Sequence, residues 1–180
     1  NDSFPKFGPR INLGNQESRL EFTNNLNSSC EIDVRISFHS EDYSQERHVV
    51  ISGNQCGGDL SLNGNIHGVN QLTGRFLVKG NSFSSLEVVH AAEALIQDNI
   101  ISGRDGTQPV ISIVNTNAVL ERDTVINNWS GIYISTSFEL SQIVADTIRY
   151  CTITGNGDVG SGNSNAIVIE DYGNVVINNN

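Results

Sequence analysis

The stretch VVINNN (175–180) repeats a phrase that occurs several times earlier in the chain, and that recurrence decides the fold. An aliphatic run followed by Gly or Asn, then commonly Asn, also reads VVISGN at 49–54, FLVKGN at 76–81, NIISGR at 99–104, TVINNW at 124–129 and CTITGN at 151–156. The phrase centres on Ile51, Val78, Ile101, Ile126, Ile153 and Ile177, and LEFTNN (20–25) adds Phe22 before them. Successive centres recur at about 25 residues, and intervals this even mark an internal repeat.

A second set runs out of phase with the first: IDVRIS (32–37), DLSLN (59–63), LEVV (86–89), ISIV (111–114), IYIS (132–135) and IVIE (167–170). Each is short, alternating and rich in β-branched residues, as strands are. Ile36, Leu62, Val88 and Ile113 keep nearly the same interval as the phrase. The step to Ile134 is shorter and the next, to Ile169, much longer. That places an insertion within 136–166, in the glycine-rich TGNGDVGSGNSN (154–165).

Two or more short strands every 25 or so residues, with Gly/Asn turns, describe one coil of a parallel β-solenoid, which buries its apolar face only by stacking on neighbours. The expected architecture is all-β, about seven coils at about 4.8 Å each. The chain reads as a single domain, 1–180, with an irregular segment over 1–19 and coils over 20–180. Hairpin arrangements would not hold a constant phase, and the leucine-rich repeat pattern is absent. SSLEVVHAAEALIQDN (84–99) carries good helix formers and a capping-box pattern, Ser84 with Glu87; its length fits one coil, so it is assigned to the solenoid.

The repeat resembles that of the right-handed parallel β-helices of the pectate-lyase-like superfamily over residues 20–180, TVINNWSGIYI (124–134) being the closest stretch. The superfamily includes lyases, hydrolases, epimerases, esterases, adhesins and phage tailspikes, so the resemblance implies a fold rather than an activity. The NTD, DD and GHG signatures of its glycoside hydrolases and the DPHD motif of its uronan epimerases are absent, as are HExxH, P-loop and GxSxG patterns.

Composition bounds the partners. Asn is the commonest residue, Gly numbers 17, 37% of the chain is hydrophobic, and the net charge is −10. The recurring Val/Ile runs argue against Asn-rich disorder. The acidic balance argues against a nucleic-acid backbone or an anionic membrane as partner, and an acidic polysaccharide would need a bridging divalent cation. No run is long enough for a transmembrane helix.

On the phrase alignment, an inward column reads Val49, Phe76, Asn99, Thr124, Cys151 and Val175, with Asn99 laddering to its neighbours and Cys151 an inert buried thiol. An outward column reads Val50, Leu77, Ile100, Val125, Thr152 and Val176, an aliphatic stripe that is either covered by a loop or an assembly face for self-association. A third reads His48, Arg75, Asp98, Asp123, Tyr150 and Asn174. There Asp98 and Asp123 would stack and hold Ca²⁺, Tyr150 would stack on a sugar ring, and Arg75 or His48 would act as base in a lyase; a solvated mixed-charge face is the bland reading. His39, His67 and His90 share no column with His48.

Cys30 and Cys56, each six residues before Ile36 and Leu62, are expected to stack and form a disulfide, which favours a secreted, periplasmic or cell-surface setting. Asn27 in NSS and Asn128 in NWS match the glycosylation pattern. The final VVINNN reads as a coil awaiting a continuation, from a longer solenoid or from another subunit covering an open C-terminal end. Three functions follow: a glycan-binding surface module without catalysis, a Ca²⁺-dependent polysaccharide lyase, or a structural and adhesive assembly module.

Overall fold

A computed structural model describes residues 10–13, 19–27, 32–36, 48–64, 66–67, 71–72, 74–103, 108–136, 145–156, 166–171 and 174–180. They form a parallel β-solenoid with three sheets and no helix. Sheet A stacks Arg10–Leu13, Ile32–Ile36, Asp59–Asn63, Ser85–Val89, Ile111–Val114, Ile132–Thr136 and Ile167–Asp171. Sheet B stacks Arg19–Thr23, His48–Ser52, Arg75–Lys79, Glu93–Gln97, Ala118–Glu121, Ala145–Arg149 and Asn174–Asn178. Sheet C stacks the shorter Leu26–Asn27, Gln55–Cys56, Ser82–Phe83, Ile100–Ser102, Thr124–Ile126 and Thr152–Thr154. The chain visits A, B and C in turn. One small antiparallel pair, Ile66–His67 with Gln71–Leu72, falls in the chain between an A strand and the following B strand.

Alternation fixes which residues meet inside. Sheet A contributes the buried column Leu62, Val88, Ile113 and Ile134, sheet B contributes Ile51, Val78, Ile96, Leu120 and Ile148, and sheet C contributes Phe83, Ile101 and Val125. Each fully buried aliphatic side chain contributes about 1.5–3 kcal/mol. Like therefore stacks on like, and one continuous core runs the length of the described coils.

The segment 84–99 is two strands of one coil, Ser85–Val89 and Glu93–Gln97, joined by three residues. Its helix-forming residues yield because Leu86, Val88, Ala94 and Ile96 all find inward places in columns already set by neighbouring coils.

Two registers differ from those read in the sequence. Val34, rather than Ile36, pairs with Leu62, while Leu62, Val88, Ile113, Ile134 and Ile169 do share one column. More consequentially, the recurring phrase crosses from one sheet to another. Phe22, Ile51, Val78 and Ile177 belong to sheet B, whereas Ile101 and Ile153 belong to sheet C. Ile126 lies one residue past Val125, the true partner of both. The interval 136–166 contains a B and a C strand, with eight residues before them and twelve after.

Candidate functional site

The turn from sheet B to sheet C has two residues in every coil. Its first residue is left-handed throughout: Asn24, Gly53, Gly80, Asp98, Arg122 and Tyr150 have φ of 56°, 65°, 64°, 56°, 58° and 57°. At Gly53 a Cβ would come within 2.3 Å of the Asn24 Oδ1, the movable end of an exposed side chain, so glycine there mainly relieves the left-handed torsion.

The second turn residue builds an internal ladder from Asn25, Asn54, Asn81, Asn99 and Asp123. Asn54 donates from its backbone N–H and its Nδ2 to Asn81 Oδ1, both at 2.9 Å, and Asn81 does the same to Asn99 Oδ1 at 3.0 and 2.9 Å. Each amide also reaches a carbonyl of the preceding coil: Asn54 to Phe22, Asn81 to Ile51 and Asn99 to Val78. A buried amide is tolerated because its donors and acceptor are used. Asn99 therefore ladders as expected, although to Asn81 and Asp123 rather than in a column with Phe76. A second, shorter ladder joins Asn128 to Asn156 past sheet C. Asn128 is 2% exposed and its Nδ2 donates to the Ile101 carbonyl and to Asn156, so its glycosylation triplet is closed in the folded chain.

These turns separate the expected ligand residues. Asp98 is the first turn residue of its coil and Asp123 the second of the next, so they do not stack. Asp98 is exposed and receives two hydrogen bonds from Arg122, at 2.7 and 3.1 Å, which hold its carboxyl below the usual range. Asp123 is buried at 1% exposure, and desolvation pushes its carboxyl up to about 6. One carboxylate is neutralised at the surface and the other is enclosed. Among the described residues no group of three or more His, Cys, Asp or Glu side chains could hold a metal.

Arg75 and His48 sit side by side at the opposite end of the sheet B strands, on neighbouring coils. Arg75 faces Glu93, which is five residues before Asp98, so the two ends lie about 16 Å apart. The arginine and histidine thus cannot share a scissile bond with a cation held at Asp98. Tyr150 is 54% exposed in the left-handed turn position and belongs to the column of Asp98 and Arg122.

The outer face of sheet B is the most continuous feature outside the core. Val50, Leu77, Leu95, Val119, Thr147 and Val176 form one register-matched column down its middle, with Glu21 at one end. Val50, Leu77 and Val176 stand there as the sequence predicts. Ile100 instead faces outward from sheet C, half exposed, and Val125 is wholly buried in the core, because the recurring phrase crosses from sheet B to sheet C. Leu95 and Val119 escape the phrase for the same reason. Polar columns flank the stripe: Arg19, His48, Arg75 and Glu93 on one side, Lys79, Gln97, Glu121 and Arg149 on the other. Glu121 accepts from Arg149 and Gln97 at 3.0 Å each and pairs with Arg122; Arg149 and Gln97 hold its carboxyl down.

Cys56 is disulfide-bonded and Cys151 is a free, buried thiol whose pKa burial pushes up. Cys30 and His39 lie outside the described residues. His90 occupies a left-handed turn between sheets A and B, and burial pushes its pKa down. No helix among the described residues is long and apolar enough to cross a membrane. No family model, curated protein or solved structure matches the chain.

Proposed function

We propose that the chain is a non-catalytic surface module that binds an extended, neutral polysaccharide along the outer face of sheet B. The carrying observation is the column from Val50 to Val176, aliphatic but for Thr147, with mainly polar columns on both sides. Sugar rings in an extended chain present apolar C–H faces and polar hydroxyl edges, and this face offers the matching pattern at each strand spacing. Size favours a ribbon over a protein. Strands of four or five residues, up to about 16 Å long, across seven strands about 4.8 Å apart give about 500 Å², short of the roughly 800 Å² per partner of a stable protein interface. The net charge of −10 favours a neutral chain over an acidic one. An oxidising compartment outside the cytosol suits the disulfide at Cys56.

The test is affinity electrophoresis and pull-down on neutral and acidic polysaccharides, with and without Ca²⁺, following reducing ends and ultraviolet absorbance for cleavage. The expected result is retardation by a neutral polysaccharide without cleavage, abolished in Leu95→Lys while circular dichroism is unchanged. Retardation untouched by Leu95→Lys, or none at all, refutes the assignment. The aliphatic character of the column favours one second reading, self-association; sedimentation would then show a concentration-dependent dimer that Leu95→Lys dissolves.

A further inference from the structure

The ladder departs from asparagine at Asp123, and again at Cys151, whose backbone N–H donates to Asn180 Oδ1. Asp123 accepts at Oδ1 from the Asn99 backbone N–H at 2.8 Å and from Asn99 Nδ2 at 2.9 Å, as an asparagine would. Its other oxygen, Oδ2, is buried and has no hydrogen-bond partner. In the three rungs before it, that position is an Nδ2 donating to the carbonyls of Phe22, Ile51 and Val78. Those residues share one column with Ile96, so the corresponding acceptor for rung 123 is the Ile96 carbonyl. An ionised Oδ2 has nothing to give a carbonyl oxygen; a carboxylic acid has one proton.

We propose that Asp123 is a protonated rung, its Oδ2–H replacing the amide donor toward Ile96, and that losing this proton loosens the contact between its coil and the preceding one. The solenoid thereby contains a pH-sensitive joint, independent of what sheet B binds. The surroundings favour the neutral acid. Asp98 on the preceding coil carries negative charge toward it, and Cys151 follows it on the next coil as a buried thiol. Hydrogen bonding from Asn99 and from the Glu121 backbone N–H pulls the other way, toward the carboxylate, and desolvation outweighs it. The nearby cations pair with other carboxylates: Arg122 with Asp98 and Glu121, and Arg149 through Nη2 with Glu121, its Nε being buried without a hydrogen-bond partner. The carboxyl's rise to about 6 comes first from desolvation and agrees with this geometry.

The folded-state value lies above the unfolded one for an acid, so the folded chain binds the extra proton. Its stabilisation is present below about pH 4 and is lost as pH rises to about 6 and beyond. Asp123→Asn carries the amide permanently. Its melting temperature should match the wild type at pH 4 and exceed it by roughly 5–10 °C at pH 7. Carboxyl ¹³C NMR, with the resonance assigned by its loss in Asp123→Asn, should show a group titrating near pH 6. Protection of the Asn99 amide against hydrogen exchange, corrected for intrinsic rate, should fall through the same range. Asp146→Asn serves as control, because Asp146 is a second buried carboxyl pushed up to about 6 and would otherwise supply a similar melting trend. A carboxyl titrating below about pH 4.5, or a melting difference that does not change with pH, overturns the proposal.

Discussion

Replacing Asn81 with alanine removes a rung from the middle of the ladder, and its cost can be worked from the bonds it makes. The side chain accepts from Asn54 N–H and Nδ2, and donates to the Ile51 carbonyl and to Asn99 Oδ1, all four at 2.9 Å. It is 3% exposed, so water does not replace what is lost. At about 1 kcal/mol net per bond, with buried partners left unpaired, the loss is about 4 kcal/mol or more. Total stabilities are typically about 5–15 kcal/mol, so the loss would be conspicuous. Asn25 at the start of the ladder is only partly buried and is the internal comparison; Asn25→Ala should cost about 1 kcal/mol. Urea unfolding followed by circular dichroism reads both, with the midpoint shifting at constant slope. If Asn81→Ala shifts the midpoint no more than Asn25→Ala does, the ladder is a consequence of stacking rather than a contributor to it, and the reasoning fails.

Val125→Lys, which on a surface would be harmless, should unfold the chain or lower its melting temperature steeply, because Val125 is fully buried in sheet C; a wild-type melting curve would put that residue outside. Cys151 should resist a thiol reagent at pH 8 in the native state and react at the rate of unfolding, given its burial and raised pKa. Rapid native labelling would contradict the enclosed position beside Asp123.

Sheet A was legible because its strands are long, alternating and aliphatic, and their inward residues keep a near-constant interval from Leu62 to Ile113. Sheet B was legible in kind but not in register. Its repeat is an inward aliphatic, an outward residue, a left-handed residue and a ladder residue. It reads FTNN at 22–25, ISGN at 51–54, VKGN at 78–81, IQDN at 96–99, LERD at 120–123 and IRYC at 148–151. Glycine advertises the left-handed position, but Asp98, Arg122 and Tyr150 occupy it too, at a conformational cost the stack overrides. Matching on Ser-Gly therefore leads from VVISGN to NIISGR and over to sheet C. The true steps between ladder residues include one of only 18 residues, Asn81 to Asn99, which an expectation of even spacing hides. The candidate calcium pair comes from the same slip: a shift of one residue separates an exposed left-handed position from a buried ladder rung. The aliphatic column suffers likewise, since Leu95 and Val119 lie in segments the phrase does not match.

The connections differ sharply from corner to corner. Between sheets B and C every coil uses two residues, whereas between sheets A and B the count runs from two to eleven. The ladder corner acts as a fixed seam and the A–B corner as an open hem, where segments of different length leave the columns on either side in register. A foreign loop grafted between Thr136 and Ala145, where the connection is eight residues long, would therefore leave the seam intact, and successive coils would serve as a scaffold on which recognition segments are displayed at strand spacing.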